Sequence, residues 1–420
     1  MAFLKLKNNF FIFFIFLIFF NELVFSQCID YFDALDHEVK RNVACPLVTD
    51  DPSKYSRRAP SSYEDESKIQ ITEFKCNNAT EEICNKVKDT ILIAGKIISK
   101  TFILKSPIFL SVNYTNLCVV QPDLCKLQGG KVVVIGAAQS AREILLLDDD
   151  GLSRYYPQSL VKQYQFKKHP EFAPIDIIAT FNSIVNWHFP SDSDIPIQPK
   201  QFDMLYIVLH ELMHGLGFTS NWQNWFLTGN KNQILITSKP DVVISDNEVI
   251  FDEFKETAFD RHLIFNSNYK NLSPVTVKLN DFANPGTKFK NVTDLIQNFL
   301  NSKQVVIAEN MNNISTTFNS LSSYPKSCYT ERAILETTLI PFQNGQSISH
   351  FDQSYINSPD FLMTTIQVPG KTLSDLVRQT GATSPIGPKL QAIMECLGYE
   401  TKRNLIPYRP KLVYPLSGKS

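Results

Sequence analysis

The stretch from Tyr206 to Phe218, YIVLHELMHGLGF, limits what this chain can be more than any other part of it. On a helix, residues four apart lie one above the other on the same face, so His210 and His214 can turn a ring nitrogen each toward one metal ion. Glu211 sits one step round from that face. It is placed to reach a water beside the metal rather than to ligate, as a general base must. Met204, Leu205, Ile207, Val208, Leu212, Met213 and Leu216 give the helix an apolar body that holds these groups rigidly. Gly215 and Gly217 then provide a place for the helix to end. The alternative, a core helix that happens to carry two histidines, must use two of only 7 histidines in 420 residues.

The rest of the composition is that of a folded globular protein, with 43% hydrophobic and 20% charged residues. Basic and acidic residues number 41 and 42, which gives no electrostatic footprint for nucleic acid or an anionic membrane as partner. At the N-terminus, Lys5 and Lys7 precede an unbroken apolar run from Phe10 to Phe20, and Val24 and Ser26 suit a cleavage site before Gln27. That run is too short to span a bilayer. Residues 1–26 therefore read as a secretory signal peptide and the mature chain as secreted and extracellular. All eight cysteines (Cys28, Cys45, Cys76, Cys84, Cys118, Cys125, Cys328 and Cys396) follow this leader, without the paired spacing of a zinc finger. Disulfides are their expected use, with Cys76–Cys84 and Cys118–Cys125 as local candidates. A thiolate from Cys28 or Cys45 capping the metal in a latent form is the weaker alternative. Sequons at Asn78, Asn113, Asn271, Asn291 and Asn313 fit a glycosylated surface.

Residues 27–67 are polar and proline-punctuated, and RRAPSSYEDES reads as an exposed linker, so this part is expected to be an N-terminal extension or a pro-segment. From Lys68 the pattern becomes regular. Ile69 to Phe74 reads as a strand, and Glu81 to Lys100 as a helix with Ile83, Val87, Ile91, Ala94 and Ile98 on one face. Ile108 to Tyr114, Lys131 to Gly136 and Asp176 to Phe181 read as further strands, rich in Val, Ile and Phe. The fold class implied is α+β, with a sheet backing the histidine helix.

At this point the residues resemble a family. Metzincin zinc peptidases share H-E-x-x-H-x-x-G-x-x-H, a twisted mixed sheet above the active-site helix, and a methionine turn beneath the metal. HELMHGLGFTS matches through Gly217, but Ser220 stands where the third histidine belongs. The sequence is similar to the leishmanolysin arrangement, in which an insertion separates the helix from a third histidine. His350, in GQSISHFDQSYINSPDFLMTT, with Met363 after it, is the ligand and methionine turn that this resemblance implies. FNSIVNWHF followed by FDMLYIVLHELMHGLGF also resembles the corresponding stretch of secreted metalloproteases. His262 in FDRHLIF is the other candidate ligand, and Glu256 would serve in a glutamate-ligand zinc peptidase.

The resemblance implies a catalytic domain in two parts: an upper subdomain over 68–220, and a lower one over 341–400 with the third ligand and the methionine turn. Residues 221–340, strand-like at ILITS and DVVIS and helix-like at VTDLIQNFLN, form an inserted subdomain, and 401–420 a polar tail without a lipid anchor. PKLQAIMECLGY resembles the closing helix of the lower part. The implied function is a zinc-dependent metalloendopeptidase, with Zn2+ on His210, His214 and His350. Glu211 serves as general base toward the activated water, and a protein or peptide substrate lies along a sheet edge near Asp176 to Phe181. The protein is expected to be a monomer. A catalytically inactive secreted binding protein on the same fold is the competing class.

Overall fold

The computed structural model describes residues 25–36, 39–49, 67–122, 134–225, 233–237, 242–245, 248–325 and 331–412. The expected leader up to residue 24, most of the RRAPSSYEDES linker and His37 lie outside the described residues. The architecture is mixed α+β, as the patterning implies. Its first nine strands are β1 (Phe25–Tyr31), β2 (Lys40–Val48), β3 (Ile69–Cys76), β4 (Ile108–Thr115), β5 (Gly136–Ser140), β6 (Arg142–Leu147), β7 (Ser153–Pro157), β8 (His169–Pro170) and β9 (Ile177–Asn182).

Four strands in the order β3-β4-β9-β5 make the sheet that positions the site. The β3–β4 and β4–β9 pairs are parallel, and β5 runs antiparallel to β9. The helix Glu81–Thr101 connects β3 to β4. Thr80 caps its first turn by accepting the Ile83 N–H, Glu81 and Glu82 face the positive end of the helix dipole, and Lys100 lies in the last turn. Its buried stripe of Val87, Ile91, Ala94 and Ile98 packs on the sheet. The helix Met204–Gly215 packs beside it under β9 and β5. The approach is close because residue 215 is glycine: a Cβ there would meet Ile177 Cγ2 at 2.4 Å.

Two expectations need correction here. The strand expected at Lys131–Gly136 instead begins at Gly136, and 131–133 lie outside the described residues. The edges of the sheet are β3 and β5 and not the Asp176–Phe181 region, since β9 has neighbours on both sides. The β5 sequence GAAQS lacks the β-branched and aromatic residues by which strands announce themselves.

The second sheet has the order Glu256–Thr257, β7, β6, β1, β2, β8, with Lys411–Leu412 also pairing with β6. β5 and β6 are one extended run interrupted at Ala141, so a single piece of chain passes from one sheet to the other. The segment expected as an exposed extension thus supplies two paired strands, β1 and β2. Cys28 and Cys45 cross-link those strands, and Cys76 is bonded to Cys84. Cys28 and Cys45 are therefore joined to each other, not held as metal-capping thiols. Cys118 is also disulfide-bonded, while Cys125 lies outside the described residues. Four of the sequon asparagines (Asn78, Asn271, Asn291 and Asn313) are exposed, but Asn113 is half-buried in β4, a strand with neighbours on both sides.

Residues 221–340 contribute the helices Ser273–Asn280, Val292–Leu300 and Gln304–Ser315 together with short strands. This segment is tied into the main body: Glu256–Thr257 pairs parallel with β7, and its buried Phe254, Phe259, Leu272 and Phe299 belong to the same core as the site helix. The tie is electrostatic as well. Arg154, on β7 and fully buried, donates to Glu256 (2.7 Å), Asp148 (2.7 Å), Asp150 (2.8 Å) and the Ser273 hydroxyl (2.9 Å). Among the described residues, no helix is long and apolar enough to cross a membrane.

Removing one partner of a buried ionic cluster leaves uncompensated charge, so Arg154→Met should lower unfolding stability by about 3–5 kcal/mol. Urea denaturation followed by tryptophan fluorescence measures this. A loss no larger than that of an exposed substitution would mean the cluster does not join the insert to the sheet.

Candidate metal centre

The site helix begins at Asp203, whose Oδ1 accepts the Leu205 N–H at 2.8 Å. Its Oδ2 accepts the N–H of Leu373, so the same carboxylate ties the helix start to the C-terminal part of the chain. The helix ends in a Schellman turn: the Gly217 N–H donates to the His214 carbonyl (2.9 Å) and the Phe218 N–H to the Met213 carbonyl (3.0 Å). Gly217 takes φ +111 there, a conformation that a side chain would resist. The turn has a chemical consequence. It brings the Phe218 carbonyl back to His214 Nδ1, 2.8 Å away.

The other two rings are held in the same manner. His210 Nδ1 lies 2.7 Å from the Leu362 carbonyl, and His350 Nδ1 lies 3.0 Å from the Gln346 carbonyl. A carbonyl can only accept, so each Nδ1 carries the proton. Burial pushes the His210 pKa down to about 4, and burial with the two neighbouring imidazoles holds His350 well below its ordinary value. His210 and His350 are therefore neutral, and each of the three rings turns its Nε2 toward the other two.

Those three Nε2 atoms meet. They lie 3.1 Å (His210 to His350), 3.2 Å (His214 to His210) and 3.3 Å (His214 to His350) apart. Three lone pairs at this spacing repel one another and cannot satisfy each other by hydrogen bonding. A cation resolves the conflict: imidazole nitrogens at about 2.0–2.1 Å from a tetrahedral ion such as zinc sit about 3.3 Å apart. The donor set fits a divalent metal, with the second nitrogen of every ring oriented by a carbonyl, as metal-binding histidines generally are. His210, His214 and His350 form the metal-capable cluster among the described residues.

The remaining candidates sort clearly. Glu211 is on the helix with its carboxyl buried and accepts a hydrogen bond from the Ala138 backbone of β5. Burial raises its pKa to about 8, and a nearby cation would favour the carboxylate form. Met363 is fully buried in the 3-10 turn Phe361–Met363, the turn whose Leu362 carbonyl holds the His210 ring. Ser220, at the place of the absent histidine, donates its hydroxyl to Asp260. His262 lies in a 3-10 turn with its ring toward the Cys396 backbone, outside the cluster. Glu256, the alternative ligand, is not in the cluster either. Its oxygens are taken by Arg154, Ser273 and Thr276, which corrects that reading. His169 stacks on Phe172, and His188 pairs in register with Asp203 at the helix start.

Comparison with known proteins adds lineage. A family model described as SPBPB7E8-like matches residues 58–419. A curated Schizosaccharomyces pombe protein, printed as Uncharacterized protein PB7E8.01, is 26% identical over 391 residues, which is 84% of this chain and 65% of that protein. The chain thus spans slightly less than two thirds of that relative's length. No solved structure matches.

If the three rings form one site, His350→Ala should purify with well below one divalent metal per chain, only the weak residual affinity of His210 and His214 remaining, whereas His262→Ala should keep its full metal content. Elemental analysis by mass spectrometry reads both. Equal metal content in the two variants would contradict the assignment.

Proposed function

The chain belongs to the SPBPB7E8-like family, and we propose that it is a secreted, zinc-dependent metalloendopeptidase of metzincin type in the leishmanolysin-like arrangement. One observation carries this reading: three imidazole Nε2 atoms lie within 3.1–3.3 Å of one another, two of them on the helix that also carries a buried carboxyl one residue from His210.

His210, His214 and His350 would hold the ion. Bound by three neutral ligands, zinc keeps its full charge and supplies Lewis acidity, acidifying water and polarising a carbonyl. Glu211 provides the proton chemistry. Its carboxylate takes a proton from the attacking water as the water oxygen bonds to the peptide carbonyl carbon, and returns it to the amine as the C–N bond breaks. The Ala138 backbone bond supports orientation of that carboxyl, and the apolar body of the helix keeps bulk water away. Because the carboxyl is tied to β5, an edge of the sheet, the site lies next to that edge. An extended peptide fits there as an added strand, a common way for a protein to take up a peptide.

The cystines favour an oxidising compartment and therefore support a secreted protein. The methionine turn is Met363, whose neighbour Leu362 orients His210.

Glu211→Gln should leave zinc content unchanged and reduce chelator-sensitive casein hydrolysis by about 10²–10⁴-fold. Full activity in that variant would overturn the mechanism. Zinc binding without any peptide hydrolysis in the wild type would favour a binding protein on the same scaffold.

A further inference from the structure

The third imidazole comes from 136 residues beyond His214, and something must fix its distance from the helix. We propose that a buried hydrogen-bond tie, Asp260–Ser220–Ser349, sets His350 in place, making these three residues positioning residues for the metal site. The inference rests on reading the cluster as a metal centre.

Ser220 lies just past the Schellman turn. Its hydroxyl donates to Asp260 Oδ1 at 2.6 Å, and its N–H donates to Ser349 Oγ at 3.0 Å. Asp260 Oδ2 accepts the N–H groups of Asn221 (2.9 Å) and Thr257 (3.0 Å) and the Thr257 hydroxyl (3.1 Å). Since Glu256–Thr257 pairs with β7, Asp260 anchors the chain leaving the site helix to the large sheet. Ser220, Asp260 and Ser349 are each at most 3% exposed, so water cannot replace a lost partner.

Ser349 is the residue before His350, in a loop that needs restraint. Ile348, β-branched and fully buried, takes φ +67, where such side chains are strained. The loop is pinned on one side by the Ile348 N–H to the Glu336 carbonyl (2.8 Å) and the Glu336 N–H to the His350 carbonyl (2.9 Å). On the other side Ser347 Oγ accepts the Gln343 N–H at 3.1 Å. Of these bonds, the one at Ser349 joins the loop to the exit of the site helix. The serine where the metzincin pattern has its third histidine therefore reaches for the neighbour of the histidine that replaces it.

The test is zinc affinity by chelator competition, with thermal midpoints, for the wild type, Ser349→Ala, His350→Ala and the double variant. The wild type is expected to bind one zinc, and Ser349→Ala to bind it about 10–100-fold more weakly, as for loss of an orienting partner. In the His350→Ala background the same change should have no further effect, because its influence passes through that ring. A lowered midpoint with unchanged zinc affinity, or equal weakening in both backgrounds, overturns the tie. If Ser349→Ala does not fold, Ser220→Ala keeps the backbone donor and loses only the Asp260 link. Unchanged zinc affinity there also overturns the proposal. A wild type that binds no zinc would sink the metal-centre reading itself, an outcome distinct from failure of the tie.

Discussion

Three imidazoles with their Nε2 atoms turned inward crowd one another, and the protein holds those atoms 3.1–3.3 Å apart nonetheless. The carbonyls of Leu362, Phe218 and Gln346 each occupy the outer nitrogen of one ring, so no ring can turn over to relieve the crowding without giving up a buried hydrogen bond. On the proposed reading, such an arrangement is organised around a positive charge supplied from outside. The rest of the structure follows from that requirement.

The three carbonyls come from three different places, and each place is itself constrained. Phe218 is set by the glycine turn that ends the site helix. Leu362 belongs to the buried turn Phe361–Met363, against which Tyr206 packs edge-on to Phe361. Gln346 lies in the loop before His350, where the Phe351 N–H donates to the Met363 carbonyl at 2.8 Å and so joins the His350 loop to the turn Phe361–Met363. The site is therefore one connected unit of backbone and side chains although its residues span much of the chain. The sheet completes it by contributing the Ala138 backbone to Glu211 from an open edge.

The local part of this was readable in advance. Apolar residues at helical spacing around His210, Glu211 and His214, an aspartate before them and glycines after them are signals carried by neighbouring residues. Likewise β3, β4, β9 and the helix Glu81–Thr101 stand out by periodicity and composition. What was hidden depends on distant chain or on backbone atoms. β5 is made of small residues, and β1 and β2 lie in polar sequence whose role appears only when β1 pairs with β6 and β2 with β1. The two-residue strand Glu256–Thr257 is too short to show any period, yet it threads the insert into the main sheet. Carbonyl ligand-holders leave no mark at all, since every residue has one. His350 has no local pattern to mark it, only a resemblance, and Ser349 and Ser220 carry no sequence signal for the contact they make.

X-ray absorption at the zinc edge of the purified, zinc-replete protein reports directly on what the cluster holds. A metal centre of the proposed kind gives a four-coordinate site with three imidazole nitrogens at about 2.0–2.1 Å and one further light-atom ligand. A spectrum fitted by sulfur scatterers, or by fewer than three imidazoles, would contradict it.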